Sequence, residues 1–175
     1  RDPADKAGLA SVMAGMVSKG VAVHGGEPAL DENQLGESWA DLGASFSASA
    51  SGDRMSFSLR SLTEPDLLAR ASQLAARQIG EPSFPDAVWQ RERQRLGASI
   101  REANTRPGTV AGRAYGKAVY GQHPYGYEMT EDTLARISVA DLQALHDGLL
   151  APCRARVNIV GALNRAQAGA LVSTL

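Results

Sequence analysis

Residues 6–20 read KAGLASVMAGMVSKG and form the most strongly patterned stretch of the chain. Their large apolar side chains recur at spacings of three and four residues, which places them on one side of a helix and predicts that this side faces the core. These residues are Leu9, Val12, Met13, Met16 and Val17. Another side carries only small residues, namely Ser11, Ala14, Gly15 and Ser18. Small side chains let a neighbouring backbone approach closely and seldom perform chemistry, so close helix packing is the simplest interpretation of that side.

The composition is that of a globular domain. The chain has 175 residues, 43% of them hydrophobic and 21% charged, with a formal net charge of −1. This length is sufficient for one domain with a full core. A net charge near zero gives no general attraction to phosphate backbones or anionic membranes, which disfavours nucleic-acid binding. No apolar run approaches the roughly 18–20 residues of a membrane span.

Cys153 is the only cysteine, so an internal disulfide, a Cys-x-x-Cys zinc site and a redox pair are all excluded. The sequence begins at Arg1, without a methionine and without a signal segment. We therefore expect residues 1–175 to be a single domain excised from a longer protein, with the first strand or strands and a second domain missing.

A β-hairpin is predicted where the hydrophobic period changes to two, over residues 44–60. Alanine and Phe46 alternate with serines in residues 44–51, and the alternation resumes with Met55 after a turn at Gly52 and Asp53. The small side chains of the first strand are typical of an edge strand whose backbone is accessible. A purely structural hairpin would have the same sequence.

Helical periodicity and capping residues predict the remaining elements. Asp5 is expected to cap the first helix and Gly20 to end it in the left-handed conformation. Further helices are predicted to begin at Asp31, Thr63, Pro85, Val110, Thr130, Ser138 and Asn164. Alternation of apolar and polar residues over 151–161, APCRARVNIVG, predicts a strand that enters the core.

No catalytic pattern emerges from the residues alone. A zinc hydrolase needs about three histidine or carboxylate ligands that converge on the metal, whereas His24, His123 and His146 are scattered and no two share helical spacing. A Gly-x-Ser-x-Gly elbow and a phosphate-binding Gly-Lys-Ser/Thr loop are also absent from the sequence. The charged residues 91–95 of the long helix are interpreted as a solvated face.

Several segments, taken in order, resemble the amino-terminal domain of the pitrilysin/insulinase family of zinc peptidases. Residues 6–20 resemble that family's Lys-x-Gly-Leu-Ala-His-x-x-Glu-His-Met-x-x-x-Gly helix, and residues 42–59, LGASFSASASGDRMSFSL, resemble its hairpin. QHPYG at 122–126 and the later helix-then-strand pattern ending at VNIVG match as well. The resemblance spans almost the entire chain.

The chain departs from this family at the catalytic motif. Ser11, Ala14 and Gly15 occupy the positions of His-x-x-Glu-His, so both zinc-binding histidines and the glutamate base are missing. The third family ligand, a glutamate on the long helix, corresponds to Ser99 if Glu92 begins the family's Glu-Arg pair, although Glu102 lies one turn away. The resemblance therefore implies no catalytic residue, no metal ligand and no bound zinc or other cofactor.

The resemblance also implies how a substrate and a partner would bind. Active and inactive halves pair as a clamshell in this family, and a substrate peptide adds as a strand to the edge of the hairpin. By this resemblance Phe46, Ser47, Ala48 and Ser49 would present the peptide-facing backbone. An arginine–tyrosine pair that contacts substrate belongs to the family's second domain and has no counterpart here.

We therefore expect an α+β domain with a mostly antiparallel sheet and helices packed on one face, forming one half of a clamshell. Its expected function is non-catalytic: it pairs with a catalytic peptidase subunit, or with a homologous second domain, to close a chamber for a peptide substrate. Two alternatives remain, an active zinc peptidase with unexpected ligands and a free-standing peptide-binding module. The resemblance favours the bacterial periplasm over the cytoplasm.

Overall fold

The computed structural model describes the backbone of residues 1–175 and every side chain except that of Pro152. The helices are α1 Leu9–Met16, α2 Glu32–Asp41, α3 Pro65–Gly80, α4 Asp86–Ala103, α5 Pro107–Tyr120, α6 Glu131–Arg136, α7 Val139–Leu149 and α8 Arg165–Thr174. The strands are β1 Gly20–Val21, β2 Leu30–Asp31, β3 Ser45–Ser51 and β4 Arg54–Arg60. They form two antiparallel two-stranded sheets, β1 with β2 and β3 with β4. The predicted α+β class is confirmed, and none of the described helices is long and apolar enough to cross a membrane.

The ends of α1 differ from the prediction. Asp2, not Asp5, caps this helix: its carboxylate accepts hydrogen bonds from the Gly8 N–H at 2.8 Å and the Ala10 N–H at 3.1 Å. Asp5 lies within a 3₁₀ turn that precedes the helix. Gly20 has a φ of 162°, which is extended rather than left-handed. A Cβ at Gly20 would collide with the Ser83 hydroxyl and lie 3.3 Å from the Leu30 carbonyl oxygen, so a side chain at this position would require Ser83 to move.

The caps of the later helices are mostly as predicted. Asp31, Thr130, Ser138 and Asn164 each accept a hydrogen bond from a backbone N–H in the first turn of their helix. The prediction for Thr63 is wrong, because α3 begins two residues later at Pro65 and its N-cap makes no side-chain hydrogen bond. Proline at the first helical position is itself compatible with this start, since no N–H is required there.

The predicted hairpin is confirmed residue by residue. β3 pairs with β4 from Ser45 opposite Arg60 to Ser51 opposite Arg54, and Gly52 in the connecting turn has a φ of 59°. One face of the hairpin consists of exposed serines and arginines, whereas the other packs on the helices. The helices therefore pack on one face of this hairpin, as predicted.

The larger core cluster forms around the apolar side of α1, as its spacing predicts. Its buried residues are Leu9, Val12, Met13, Met16, Val17, Phe84, Trp89, Leu134, Ile137 and Leu142. A smaller cluster of Val21, Leu35, Leu42, Ala71 and Leu74 lies under α2 and α3. Gln78 is buried near both, where it accepts from the Trp39 indole N–H at 2.6 Å and donates to the Val17 carbonyl at 3.4 Å.

The prediction of a strand over residues 151–161 is wrong. A 3₁₀ turn at Pro152–Arg154 is followed by irregular chain up to α8, and α8 packs against α3. Val157 and Ile159 are exposed and Val160 is fully exposed. Alternating side chains predict an extended backbone, but a strand also requires a neighbouring strand for its hydrogen bonds, and this segment pairs with no described strand.

Acid should weaken the contact that joins the start of the chain to α7. Lys6 Nζ lies 2.5 Å from Asp141 Oδ1, and this ammonium, together with the Ser138 N–H, lowers the pKa of Asp141 to about 2. A carboxyl whose pKa is lower in the folded state stabilises the fold above its unfolded pKa of about 4 and loses that contribution as the pH falls toward 2.

We expect Asp141→Asn to remove this pH dependence. Between pH 5 and pH 2 the unmodified protein should lose on the order of 1 kcal/mol more free energy of unfolding than the variant, a figure reduced for solvent screening. Urea unfolding at each pH measures the difference. Asp41→Asn, at an exposed carboxylate without a described ion pair, is the control and should behave as the unmodified protein does. Parallel pH profiles for Asp141→Asn and the unmodified protein would contradict the prediction.

Candidate functional site

The fold divides the small-residue side of α1 into an exposed part and a buried part. Ser11 and Gly15 are exposed and lie one helical turn apart, whereas Ala14 is only 2% exposed. A Cβ placed on Gly15 would meet no atom within 4 Å, so packing does not require glycine at this position. Close helix packing therefore explains Ala14 but does not explain Ser11 or Gly15.

A cleft of about 180 Å³ lies between α1 and α4, and Ser11 and Gly15 form part of its wall. Trp89, Leu96 and Met129 contribute apolar surface to the same cleft. Its charged lining comes from Lys19, Glu92 and Arg95. The two exposed positions of α1, which the predicted resemblance aligns with metal ligands, thus line this cleft together with a carboxylate.

That carboxylate belongs to Glu92, whereas Ser99, the position that the resemblance aligns with the family's third ligand, lies elsewhere on α4. Ser99 is exposed on α4, two helical turns further along, and is not part of the cleft lining. Glu92 was interpreted as part of a solvated face, but its side chain is only 14% exposed. A signal was available in the sequence: Glu92 lies three residues after Trp89 and four before Leu96, which places it on the apolar side of α4.

Glu92 is held by two cations. Arg95 Nη2 lies 2.7 Å from Glu92 Oε2, and Lys19 Nζ lies 3.7 Å from Glu92 Oε1. Lys19 also forms an ion pair with Glu32, at the start of α2, and Arg91 contacts the same carboxylate at 2.5 Å. Lys19 and Arg91 lower the pKa of Glu32. Two cations and one carboxylate therefore line the cleft, and their ion-pair network extends beyond it to Glu32 and Arg91.

These residues do not fit a zinc ion. Ser11 offers a hydroxyl, Gly15 has no side chain, Ala14 has a buried methyl group, and Glu92 already accepts from Arg95, whereas zinc sites use thiolate, imidazole and carboxylate ligands. Among the described side chains, no group of three or more His, Cys, Asp or Glu residues could hold a metal ion.

The histidines do not provide an alternative metal site. His24 is exposed and contacts Glu81. His123 accepts a hydrogen bond from the Tyr125 N–H at 3.2 Å in the turn between α5 and α6. His146 is buried and bonds through Nε2 to the carbonyl of Ile79 at 2.7 Å. Each histidine thus has a local structural contact, and the three lie on separate elements.

The four residues suggested for peptide binding all lie on β3, alongside α1. Ser47 and Ser49 have exposed side chains, while Phe46 and Ala48 are half-buried and pack against the core around α1. In a hairpin with a two-residue turn the pair that closes the turn exchanges hydrogen bonds, and such pairs alternate along the ladder. With Ser51 opposite Arg54 as the closing pair, the N–H groups of Phe46 and Ala48 point away from β4.

Comparison with solved structures identifies a neighbour of similar fold that is described as an inactive peptidase domain. The chain is similar to the crystal structure of a peptidase M16 inactive domain from Pseudomonas fluorescens, with a TM-score of 0.74 and 29% sequence identity. This chain has the fold of a peptidase M16 inactive domain. The match covers 81% of this chain but 33% of the other, so the chain spans about a third of that protein's length. No family model matches the chain, and no curated protein matches it.

The likeness to an M16 inactive domain supports one part of the predicted resemblance, namely similarity to an inactive domain of a peptidase family. The cleft adds a local observation to that likeness. Ser11 and Gly15 have no metal-binding side chain, and the nearby Glu92 carboxylate forms ion pairs with Lys19 and Arg95. Roles of individual residues in peptide binding stay predictions.

We expect this chain to bind no zinc of its own. After incubation with excess zinc and exhaustive dialysis, elemental analysis should find far less than one zinc per chain, because the cleft offers one carboxylate and no imidazole. A metal chelator should leave the midpoint of thermal unfolding unchanged. One zinc per chain, lost together with stability on chelation, would show that another set of ligands exists.

Proposed function

We propose that this chain is a non-catalytic peptidase-family domain that pairs with a catalytic subunit, or with a homologous second domain, to close a peptide-binding chamber. The observation that carries the proposal is that Ser11 and Gly15 of α1 line an open cleft and offer no metal-binding side chain. A solved structure similar to this chain is an inactive peptidase domain. The partner would supply the metal and the base, and this chain would supply shape and backbone contacts.

The position of β3 supports a role in holding extended peptides. This strand lies alongside α1, and its outward N–H groups would be available to a peptide that adds as a further strand. Main-chain hydrogen bonds of this kind recognise an extended backbone and place few demands on its side chains. The serines of β3 leave the approach to this edge free of bulky groups.

The surface of α5 supports pairing with another protein. This helix contacts the rest of the described chain chiefly through the turn at Pro124–Gly126. Half of its circumference is apolar and exposed, and it comprises Val110, Ala111, Ala114, Tyr115, Ala118 and Val119. Contiguous apolar surface of this kind is typical of protein interfaces. We assign this surface to the contact with the catalytic partner.

The pairing predicts a gain of activity on mixing. A peptidase subunit of the same fold that carries the His-x-x-Glu-His motif, from the same source, should hydrolyse a fluorogenic peptide at least about tenfold faster when this protein is added. Size-exclusion chromatography with light scattering should show a complex of the two. Unchanged hydrolysis without a complex would contradict the proposal.

A pair of variants tests the assigned surface within the same assay. Tyr115→Glu places a charge in the apolar half of α5 and should weaken the complex at least about tenfold, because a desolvated, unpaired carboxylate is costly in an interface. Gln73→Glu makes a comparable change at an exposed position of α3 and should leave the complex unchanged. Equal effects of the two variants would place the interface elsewhere.

The edge of β3 predicts a specific effect of Ala48→Pro on peptide binding. Proline removes an outward N–H without removing a bond to β4, and it is tolerated in edge strands, so the hairpin should persist while the Kd for an extended peptide rises about tenfold. Fluorescence anisotropy of a labelled peptide, with the complex and with this chain alone, measures the effect.

Ser47→Ala is the matched control for the edge of β3, since it alters an exposed side chain and keeps every backbone N–H. Its Kd should equal that of the unmodified protein, and thermal unfolding should show both variants folded. Equal Kd values for Ala48→Pro and Ser47→Ala would show that β3 is a structural strand only. Tight binding by this chain without any partner would favour the free-standing peptide-binding module.

A further inference from the structure

We propose that Lys19 and Arg95 perform, at the cleft between α1 and α4, the electrostatic role that a bound metal ion would perform. They neutralise the Glu92 carboxylate and hold it against α1, and by doing so they exclude a divalent cation. This inference concerns the charges within this chain and does not depend on a partner or on peptide binding.

The environment of Glu92 requires a nearby cation. Its side chain is only 14% exposed and lies on α4 between Trp89 and Leu96. A carboxylate in such surroundings is unfavourable unless charged groups compensate for the lost water. Arg95 compensates at 2.7 Å and Lys19 at 3.7 Å, so the carboxylate has a cation at each of its two oxygens.

The compensating cations also connect separate elements. Lys19 lies in the 3₁₀ turn directly after α1, and the same ammonium contacts Glu32 at the start of α2. Arg95 lies on α4, one turn after Glu92. The ion pairs thus join α1, α2 and α4 around the cleft, which is the structural effect that a metal shared between helices would have.

The excess of cations opposes binding of a dication. Lys19 and Arg95 line the cleft together with the single carboxylate of Glu92, so the lining has a net positive charge. A metal ion would have to displace Arg95 and Lys19 from Glu92 and would then lie beside both. Loss of the histidines is therefore only one of two obstacles to metal binding.

The backbone geometry at the cleft leaves room for imidazole ligands. Ser11 and Gly15 are exposed, lie one turn apart on α1, and border the same cleft as Glu92. Histidines at four-residue spacing on one helix are a common zinc-binding arrangement, and Glu92 would supply a third ligand. This allows the effect of Lys19 and Arg95 on metal binding to be measured directly.

The test compares zinc affinities at pH 7.5 by competition with a chromophoric chelator. Ser11→His with Gly15→His should bind zinc weakly, and the same variant with Lys19→Met and Arg95→Gln added should bind one zinc at least about 100-fold more tightly. A control with Lys117→Met and Arg70→Gln added removes the same charge at exposed positions of α5 and α3 and should retain the weak binding. The proposal would be overturned if removing Lys19 and Arg95 left the zinc affinity unchanged. It would also be overturned if the control substitutions alone raised the zinc affinity.

Unfolding of the otherwise unmodified chain provides a second measurement. Lys19→Met with Arg95→Gln should lower the midpoint of thermal unfolding by about 5 °C, because Glu92 is left without a counter-charge. Adding Glu92→Gln should recover at least half of this loss, while Lys117→Met with Arg70→Gln, at two exposed positions, should cause none. An unchanged midpoint in the first variant, or no recovery on adding Glu92→Gln, would also overturn the proposal.

Discussion

The burial of α1 is the constraint on which the rest of the structure depends. This helix has only eight residues, too few to be stable in water without tertiary contacts. Met13 is fully buried and Val12, Ala14 and Met16 are almost so, because β3 and α7 pack beside it. The core therefore fixes the position of α1. The side chains on the exposed strip of the helix, at Ser11 and Gly15, can vary without disturbing these contacts.

Local patterns predicted those parts of the fold whose partners are close in sequence. The hairpin follows from a period of two on both sides of Gly52, and Asp31 and Ser138 cap helices that begin at the next residue. The cap of α1 could not be predicted in this way. Asp2 and Asp5 are both near the helix, and the choice between them depends on the path of a 3₁₀ turn. Residues 151–161 have the alternation of a strand, but pairing depends on a distant segment that local spacing does not reveal.

The candidate site shows the same division between local and distant information. The absence of histidine at Ser11 and Gly15 is visible from one short motif. The contact of Lys19 with Glu92 joins residues far apart in the sequence, and it depends on how α4 crosses α1. The flanking Trp89 and Leu96 indicated that Glu92 turns inward, but an inward carboxylate needs a cation whose identity only the packing decides.

The three positions that the predicted resemblance aligns with a catalytic motif are not equivalent in this fold. Side chains at positions 11 and 15 extend into an open cleft, so exchanging ligands for Ser11 and Gly15 changes little in the core. Ala14 is only 2% exposed, so a carboxylate at this position would be desolvated. Metal-binding side chains could therefore be introduced on the surface of α1 with little change to the core, whereas a carboxylate at position 14 would require a change in core packing. A catalytic base would accordingly be more difficult to introduce into this helix than a pair of metal ligands.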